Sequence, residues 1–188
     1  MGRDKAFVPC SPADPSPLLA RQLRILGDAG ISDLIVAGRA DADYSLVTSG
    51  ARVVTDPVPL SGPLAGLAAV LAAARHPWVV VVAVDLPQVT GGYLEKLIAA
   101  GDGRIGVVPE GPAGYEPLVA LYPRDLLPEI QSALANRRLG LQTLVREAVA
   151  AGRLRALPIA DTEYSLFTNW NTPEDIQAGQ PSRHLRNN

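Results

Sequence analysis

The chain of 188 residues is 47% hydrophobic and 19% charged, a balance that is typical of a globular protein and excludes a disordered or fibrous one. Its 17 basic and 19 acidic residues give a net charge of −2, so no excess of positive charge is present to hold a nucleic acid backbone. One cysteine, two histidines and the lack of a long apolar stretch predict a cytoplasmic, single-domain protein with no disulfide framework and no contact with a membrane.

The predicted elements alternate between helices and strands. In the first half of the chain we predict a proline-rich loop at 9–17, a helix from Leu18 to near Gly27 or Gly30, strands at 33–38 and 51–55, a helix at 64–75 and a strand at 78–84. In the second half we predict helices at about 91–100, 124–135 and 140–151 and strands at about 105–109, 118–122, 153–159 and 164–167. A last helix is predicted after Thr172. This alternation predicts a three-layer α/β/α sandwich with a mostly parallel sheet. The run WVVVVAV at 78–84 is continuously apolar, so both of its faces should be covered, and the apolar helix at 64–75 should be buried between layers.

Two aspartates follow predicted strands at the point where each strand ends. Asp85 closes the strand at 78–84, and Asp56 follows the strand at 51–55. Ligands of open parallel sheets bind outside the carboxyl ends of the strands. Asp85 has two interpretations: it caps the turn Asp-Leu-Pro, or it is a Mg²⁺ ligand beside nucleotide phosphates.

Three other segments carry alternatives of the same kind. Gly62-Pro63 is an ordinary helix start or a helix N-terminus that faces an anion. Asn171, in the segment NWNTPED at 169–175, forms an Asx turn or completes a metal or phosphate shell. Lys5 taken alone would be a surface lysine.

The order of these motifs is more specific than any one of them. The motifs are MGRDKA at 1–6, VTDP at 54–57, GPLAG at 62–66, VDLP at 84–87, EPLVALY at 116–122 and FTNWNTPED at 167–175. In this order the chain closely resembles the molybdenum cofactor guanylyltransferases, which are nucleotidyltransferases with a Rossmann-like fold. The resemblance runs from residue 1 to about residue 178, and it implies one nucleotidyltransferase domain followed by a polar tail at 179–188.

The resemblance implies a role for four side chains. Lys5 would contact the nucleotide phosphates and act in catalysis, Asp56 would hold the guanine nucleotide, and Asp85 would bind both nucleotide and Mg²⁺. Asn171 would supply a second metal contact. The implied reaction joins GMP from GTP to a molybdopterin-type molybdenum cofactor and releases pyrophosphate, with Mg²⁺ as cofactor. The implied partners are GTP, this acceptor and, transiently, molybdenum cofactor proteins.

Two departures from the family's pattern keep alternatives open. Gly38 lies near a site where the guanylyltransferases carry an asparagine, so a cytidylyltransferase or another nucleotidyltransferase acting on a small phosphorylated acceptor is an alternative. The family's first strand and its Leu-Ala-Gly-Gly loop come before the segment that matches residues 1–6, so we expect the domain to be incomplete at its N-terminus. A catalytically dead nucleotide-binding scaffold is therefore the second alternative.

Overall fold

The computed structural model of the chain describes residues 4–11, 14–48, 50–55 and 62–170. The helices are α1 (Leu18–Asp28), α2 (Gly62–Ala73), α3 (Gly91–Ala100), α4 (Leu127–Ala135) and α5 (Leu141–Ala150), and the strands are β1 (Ile35–Gly38), β2 (Arg52–Thr55), β3 (Trp78–Val82), β4 (Gly106–Gly111), β5 (Gly114–Tyr115), β6 (Val119–Pro123) and β7 (Leu154–Pro158). Short 3₁₀ helices lie at Lys5–Phe7, Arg124–Leu126 and Asp161–Phe167. The helix predicted after Thr172 and the tail at 179–188 lie outside the described residues.

Helices cover both faces of the sheet, which confirms the α/β class and its three layers. Val108 of β4 and Tyr122 of β6 are buried in the largest core cluster together with residues of α2, α4 and α5. Their strand neighbours Val107 and Leu121 are buried on the opposite face against Leu97 of α3. This alternation is what a strand with two covered faces requires, since successive side chains point to opposite sides. Helix α2 was predicted to be buried between layers, but Ala72 on its outer side is exposed, so the helix is not covered on all sides.

The prediction of a mostly parallel sheet is wrong. Of the strand pairings in the described residues, β3–β6, β4–β6 and β4–β5 are antiparallel, whereas β1–β2 and β4–β7 are parallel. The reason is the connection between β4 and β6, which contains the short strand β5 but no helix. A parallel crossover needs a dozen or more residues, so the chain turns back at once and places β6 antiparallel between β3 and β4.

The strand predicted at 164–167 is also wrong, because Asp161–Phe167 is a 3₁₀ helix. Its start is closed by the Ala160 backbone N–H, which donates a hydrogen bond to Glu163 Oε2 at 3.0 Å. Leu166 and Phe167 pack against the apolar cluster around α3. The short apolar run that suggested a strand is thus one side of a helical turn.

A groove of about 370 Å³ separates the β1–β2 pair from the larger sheet. It is lined by Leu34 and Ile35 on one side and by Trp78, Val79 and Val80 on the other. Within the described ranges, β1 and β3 each have a strand partner on one side only. All five residues of β3 are half-buried, yet both of its faces are covered, as predicted. Val79 and Val81 pack against the core cluster of α2, α4 and α5, and Val80 and Val82 pack against the cluster around α3. No described helix is both long and apolar enough to cross a membrane.

Candidate functional site

Lys5 lies in a 3₁₀ helix that begins with a side-chain cap. Asp4 Oδ1 accepts a hydrogen bond from the Ala6 backbone N–H at 3.0 Å, which satisfies a donor that the short helix leaves free. Ala6 is buried in a small cluster whose other buried members are Leu19, Leu23, Val36 and Tyr44. The cap and the Ala6 anchor hold the turn in place and leave the Lys5 side chain 31% exposed.

Asp85 lies just beyond β3, in a turn that α1 holds in place. The Gln22 side chain donates hydrogen bonds from Nε2 to the carbonyl oxygens of Ala83 and Leu86, both at 2.9 Å. Gln22 is only 3% exposed, so this amide is buried with its donors satisfied. Sequence reasoning missed this residue. The available signal was one polar side chain inside the apolar stripe between Leu19 and Leu23.

The structure brings Lys5 and Asp85 together although 80 positions separate them in the chain. Lys5 Nζ lies 3.0 Å from Asp85 Oδ2, and the two side chains are 31% and 25% exposed. No described residue donates a hydrogen bond to the other carboxylate oxygen, Oδ1. The pair is open to solvent at the carboxyl end of β3, where a phosphate or a cation can approach both charges.

The other two predicted site residues, Asp56 and Asn171, lie outside the described residues. Their described neighbours are informative. Thr55 is the last residue of β2, and the backbone N–H of Trp170 donates a hydrogen bond to the Asp85 carbonyl oxygen at 2.9 Å. The chain therefore reaches Asp85 from three directions: from the Lys5 turn, from β3 and from the segment that ends at Trp170.

The segment that leads to Trp170, residues 161–170, is held against α3 by an ion pair and a ring contact. Lys96 Nζ donates to both carboxylate oxygens of Glu163, at 2.6 and 2.8 Å, and this contact holds the pKa of Glu163 below its usual range. The rings of Phe167 and Tyr93 meet edge to face with centroids 5.2 Å apart. These contacts fix the path of the chain toward Asp85.

Two buried donors lie along this path. Tyr93 and Trp170 are 3% and 5% exposed, and neither the Tyr93 hydroxyl nor the Trp170 indole Nε1 has a hydrogen-bond partner among the described residues. Burial raises the pKa of Tyr93, so its hydroxyl stays protonated and remains a donor at neutral pH. Buried polar groups are usually paired, and these two are exceptions close to the Asp85 turn.

Asp85 suits a hard divalent cation in its chemistry, although the described residues contain no cluster of three or more histidine, cysteine, aspartate or glutamate side chains. Mg²⁺ commonly binds one or two carboxylates and completes its coordination shell with water and substrate phosphates. The partly exposed carboxylate of Asp85, at the carboxyl end of β3, can therefore serve as a protein ligand for this ion. Cys10 does not suit nucleophilic catalysis, since the thiol is buried and burial raises its pKa.

Comparisons with known proteins show the family of the chain. Residues 1–153 match the family of MobA-like NTP transferase domains. The chain is 33% identical over 178 residues to a probable molybdenum cofactor guanylyltransferase of Opitutus terrae, with 93% of this chain and 86% of the relative covered. It is 34% identical over 180 residues to a molybdenum cofactor guanylyltransferase of Pseudomonas putida, with 94% and 88% covered.

A solved structure supports the fold. The chain superimposes on molybdopterin-guanine dinucleotide biosynthesis protein A of Archaeoglobus fulgidus with a TM-score of 0.71 at 22% sequence identity. The alignment covers 95% of this chain and 90% of that one. At this identity the likeness shows the fold alone.

Proposed function

The chain belongs to the MobA-like NTP transferase family, and from this premise we propose that it transfers GMP from GTP to a molybdopterin-type molybdenum cofactor and releases pyrophosphate. The observation that carries the proposal is the Lys5–Asp85 ion pair at the carboxyl end of β3. Both side chains are partly exposed. The ammonium can bind the phosphates of a nucleoside triphosphate, and the carboxylate can bind its metal ion. GTP and the molybdopterin-type acceptor are the proposed partners.

The reaction needs positioning and charge neutralisation more than a protein nucleophile. An oxygen of the acceptor phosphate attacks the α-phosphorus of GTP, the bond from that phosphorus to the bridging oxygen breaks, and pyrophosphate leaves with its electrons. The Lys5 ammonium leaves Asp85 for the phosphates and neutralises the negative charge on the departing pyrophosphate. Asp56 holds the nucleoside.

Asp85 and Asn171 are the residues that would hold a divalent cation, which we propose to be Mg²⁺. When bound, the cation supplies charge neutralisation and orientation of the phosphate oxygens. Once Lys5 moves to the nucleotide, Asp85 Oδ2 joins Oδ1 as an available ligand atom. The ion pair thus keeps both charges compensated in the free protein and releases them together when the nucleotide binds.

The test is a transfer assay with GTP, CTP and ATP, Mg²⁺ and molybdopterin-bound molybdenum as acceptor, with the dinucleotide product identified by mass spectrometry. We expect a guanine dinucleotide and pyrophosphate from GTP, and loss of both products in Asp85→Asn, which keeps the side-chain volume and removes the charge. Asp125→Asn is the matched control, because Asp125 pairs with Arg153 on a distant surface. More product from CTP than from GTP would replace the guanylyl assignment with a cytidylyl one, and equal products from both would remove the preference for guanine. Full activity in Asp85→Asn would contradict the proposed site.

A further inference from the structure

Tyr44 links β1 to the turn that carries Lys5. Tyr44 is 5% exposed, and its hydroxyl donates a hydrogen bond to Asp4 Oδ2 at 2.7 Å. The Tyr44 hydroxyl oxygen in turn accepts a hydrogen bond from the Arg39 backbone N–H at 3.0 Å. Burial raises the pKa of Tyr44, so the hydroxyl stays protonated at neutral pH and remains the donor to Asp4.

Gly38 provides the space that this tyrosine occupies. A Cβ atom at position 38 would lie 2.5 Å from Cε2 of the Tyr44 ring and 3.1 Å from Cγ1 of Val53. Any larger residue at position 38 would therefore displace the ring from β1. The close approach of Tyr44 explains why a glycine occupies position 38 in this chain.

Asp4 and Phe7 connect Tyr44 to the two sides of Lys5. One carboxylate oxygen accepts from the Tyr44 hydroxyl, and the other caps the 3₁₀ helix through the Ala6 N–H. On the far side of Lys5, the Phe7 ring stacks on the Tyr44 ring with centroids 5.5 Å apart and an interplanar angle of 14°. A helix of three residues has little stability of its own, so these contacts, together with the buried Ala6 side chain, determine where the Lys5 backbone lies.

We propose that Tyr44 is a positioning residue for Lys5: through the Asp4 carboxylate and the Phe7 ring it holds the Lys5 turn so that the ammonium reaches Asp85 and, in turnover, the nucleotide phosphates. The turnover part of this inference rests on the proposed function. The placement of Lys5 against Asp85 does not, and it can be measured without substrate.

The chain contains only two lysines, Lys5 and Lys96, which allows a direct measurement. Trace acetylation with a water-soluble acylating reagent, followed by peptide mass spectrometry, gives the rate at Lys5 relative to Lys96. Lys96 keeps its own partner Glu163 and serves as the internal reference. An ammonium held against a carboxylate is less accessible to the reagent than a released one.

Tyr44→Phe is the informative variant, because it keeps the ring against Gly38 and Phe7 and removes only the hydroxyl. We expect the Lys5/Lys96 ratio to rise about fivefold and kcat/KM for GTP to fall about tenfold, which is the scale of losing one hydrogen bond to a charged group in a partly exposed site. Tyr122→Phe is the matched control: Tyr122 is fully buried, and its hydroxyl donates to the Pro117 carbonyl oxygen at 2.8 Å in the core. It should leave the lysine ratio unchanged.

An unchanged Lys5/Lys96 ratio in folded Tyr44→Phe would overturn the inference, as would an equal rise in Tyr122→Phe. If Tyr44→Phe does not fold, Asp4→Asn answers the same question, since the amide keeps one acceptor and loses the second. A raised ratio with no guanylyl transfer in the parent protein would uphold the positioning of Lys5 and refute the proposed function. The two failures are therefore distinguishable.

Discussion

The half of the molecule built on β3, β4, β6 and β7 has a larger buried core than the half built on β1 and β2. Every residue of β6 is buried, whereas β2 alternates between half-buried and exposed positions, with Val53 43% exposed. Among the described residues, the larger half has a core shared by three helices, and the smaller half has a cluster with five buried members. Asp85 follows a strand of the larger half, and Lys5 is held by the smaller one. The site therefore depends on the alignment of two unequally stable halves.

The largest effect is expected from loss of the charge that the smaller half contributes. Lys5→Gln keeps much of the side-chain length, and we expect kcat/KM for GTP to fall about 1,000-fold, as for loss of a donor to developing charge in an active site. The melting temperature should change little, because the Lys5 side chain is partly exposed. Arg138→Gln, which removes a cation from an exposed pair with Glu147, is the control. A fall of similar size in both variants would show that the loss is not specific to Lys5.

The difference in burial predicts a difference in the free energy of unfolding. Leu71→Ala empties a site that is 0% exposed in the large core, and we expect a loss of about 4 kcal/mol. Leu23→Ala acts on a residue that is 8% exposed in the small cluster, and we expect about 2 kcal/mol. Urea denaturation of both variants measures the comparison. Equal losses, or a larger one for Leu23→Ala, would contradict the unequal stability of the halves.

Nucleotide binding should stabilise the whole site against heat. With Mg²⁺ and GTP at about 100 times its dissociation constant, the expected rise in melting temperature is about 7 °C. CTP and ATP at the same concentration should raise it by less, since only the preferred nucleotide binds the native state tightly. Equal shifts for the three nucleotides would remove the preference for guanine and leave nucleotide binding in place.

The smallest effect concerns the tie between the smaller half and α2. Arg52 of β2 donates to Asp33 at 2.7 and 2.9 Å and also to the Ala73 carbonyl oxygen at 3.1 Å. The hydrogen bonds that Asp33 accepts from the Arg52 side chain, and secondarily from the Arg75 backbone N–H, lower the pKa of Asp33. A carboxyl group whose pKa is lower in the folded state stabilises the protein at pH values above its pKa in the unfolded state. This stabilisation is lost as the pH falls through its pKa in the folded state.

Asp33→Asn should therefore lower the urea midpoint at pH 7. The difference in urea midpoint between the variant and the parent should become smaller below pH 4, a range set by the ordinary aspartate pKa of about 4. Measuring both proteins from pH 7 to pH 3 tests the sign. A difference that stays constant over the whole range would show that the charge of Asp33 contributes nothing. Asp41→Asn is the control, because Asp41 pairs with Arg39 on an open surface.

Local patterns predicted the elements better than their pairing. The apolar run at 78–84 and the helical stripes appear within a residue or a few of their predicted places, because periodicity and turn residues act over short distances. The direction of β6 depends on the length of the connection that precedes it, and alternation of helix and strand says nothing about that. The half-burial of β3 depends on what lies beside it, which the sequence of the strand does not contain.

The site shows the same division. Lys5 and Asp85 were proposed from the order of motifs, and the structure brings them into contact. Gln22 and Tyr44 were not proposed, since neither a polar side chain within an apolar stripe nor a tyrosine in a loop reveals which residues it contacts. Their roles come from partners 61 and 40 positions away, which only the folded chain brings within hydrogen-bond distance.

A double-mutant cycle on Lys5 and Asp85 tests most directly whether the two halves form one phosphate site. The quantity is kcat/KM for GTP in the parent, Lys5→Gln, Asp85→Asn and the double variant. Groups that act as one unit are strongly non-additive, so the double variant should be about as impaired as the worse single one. Independent losses that multiply in the double variant would contradict the account, because Lys5 and Asp85 would then act separately.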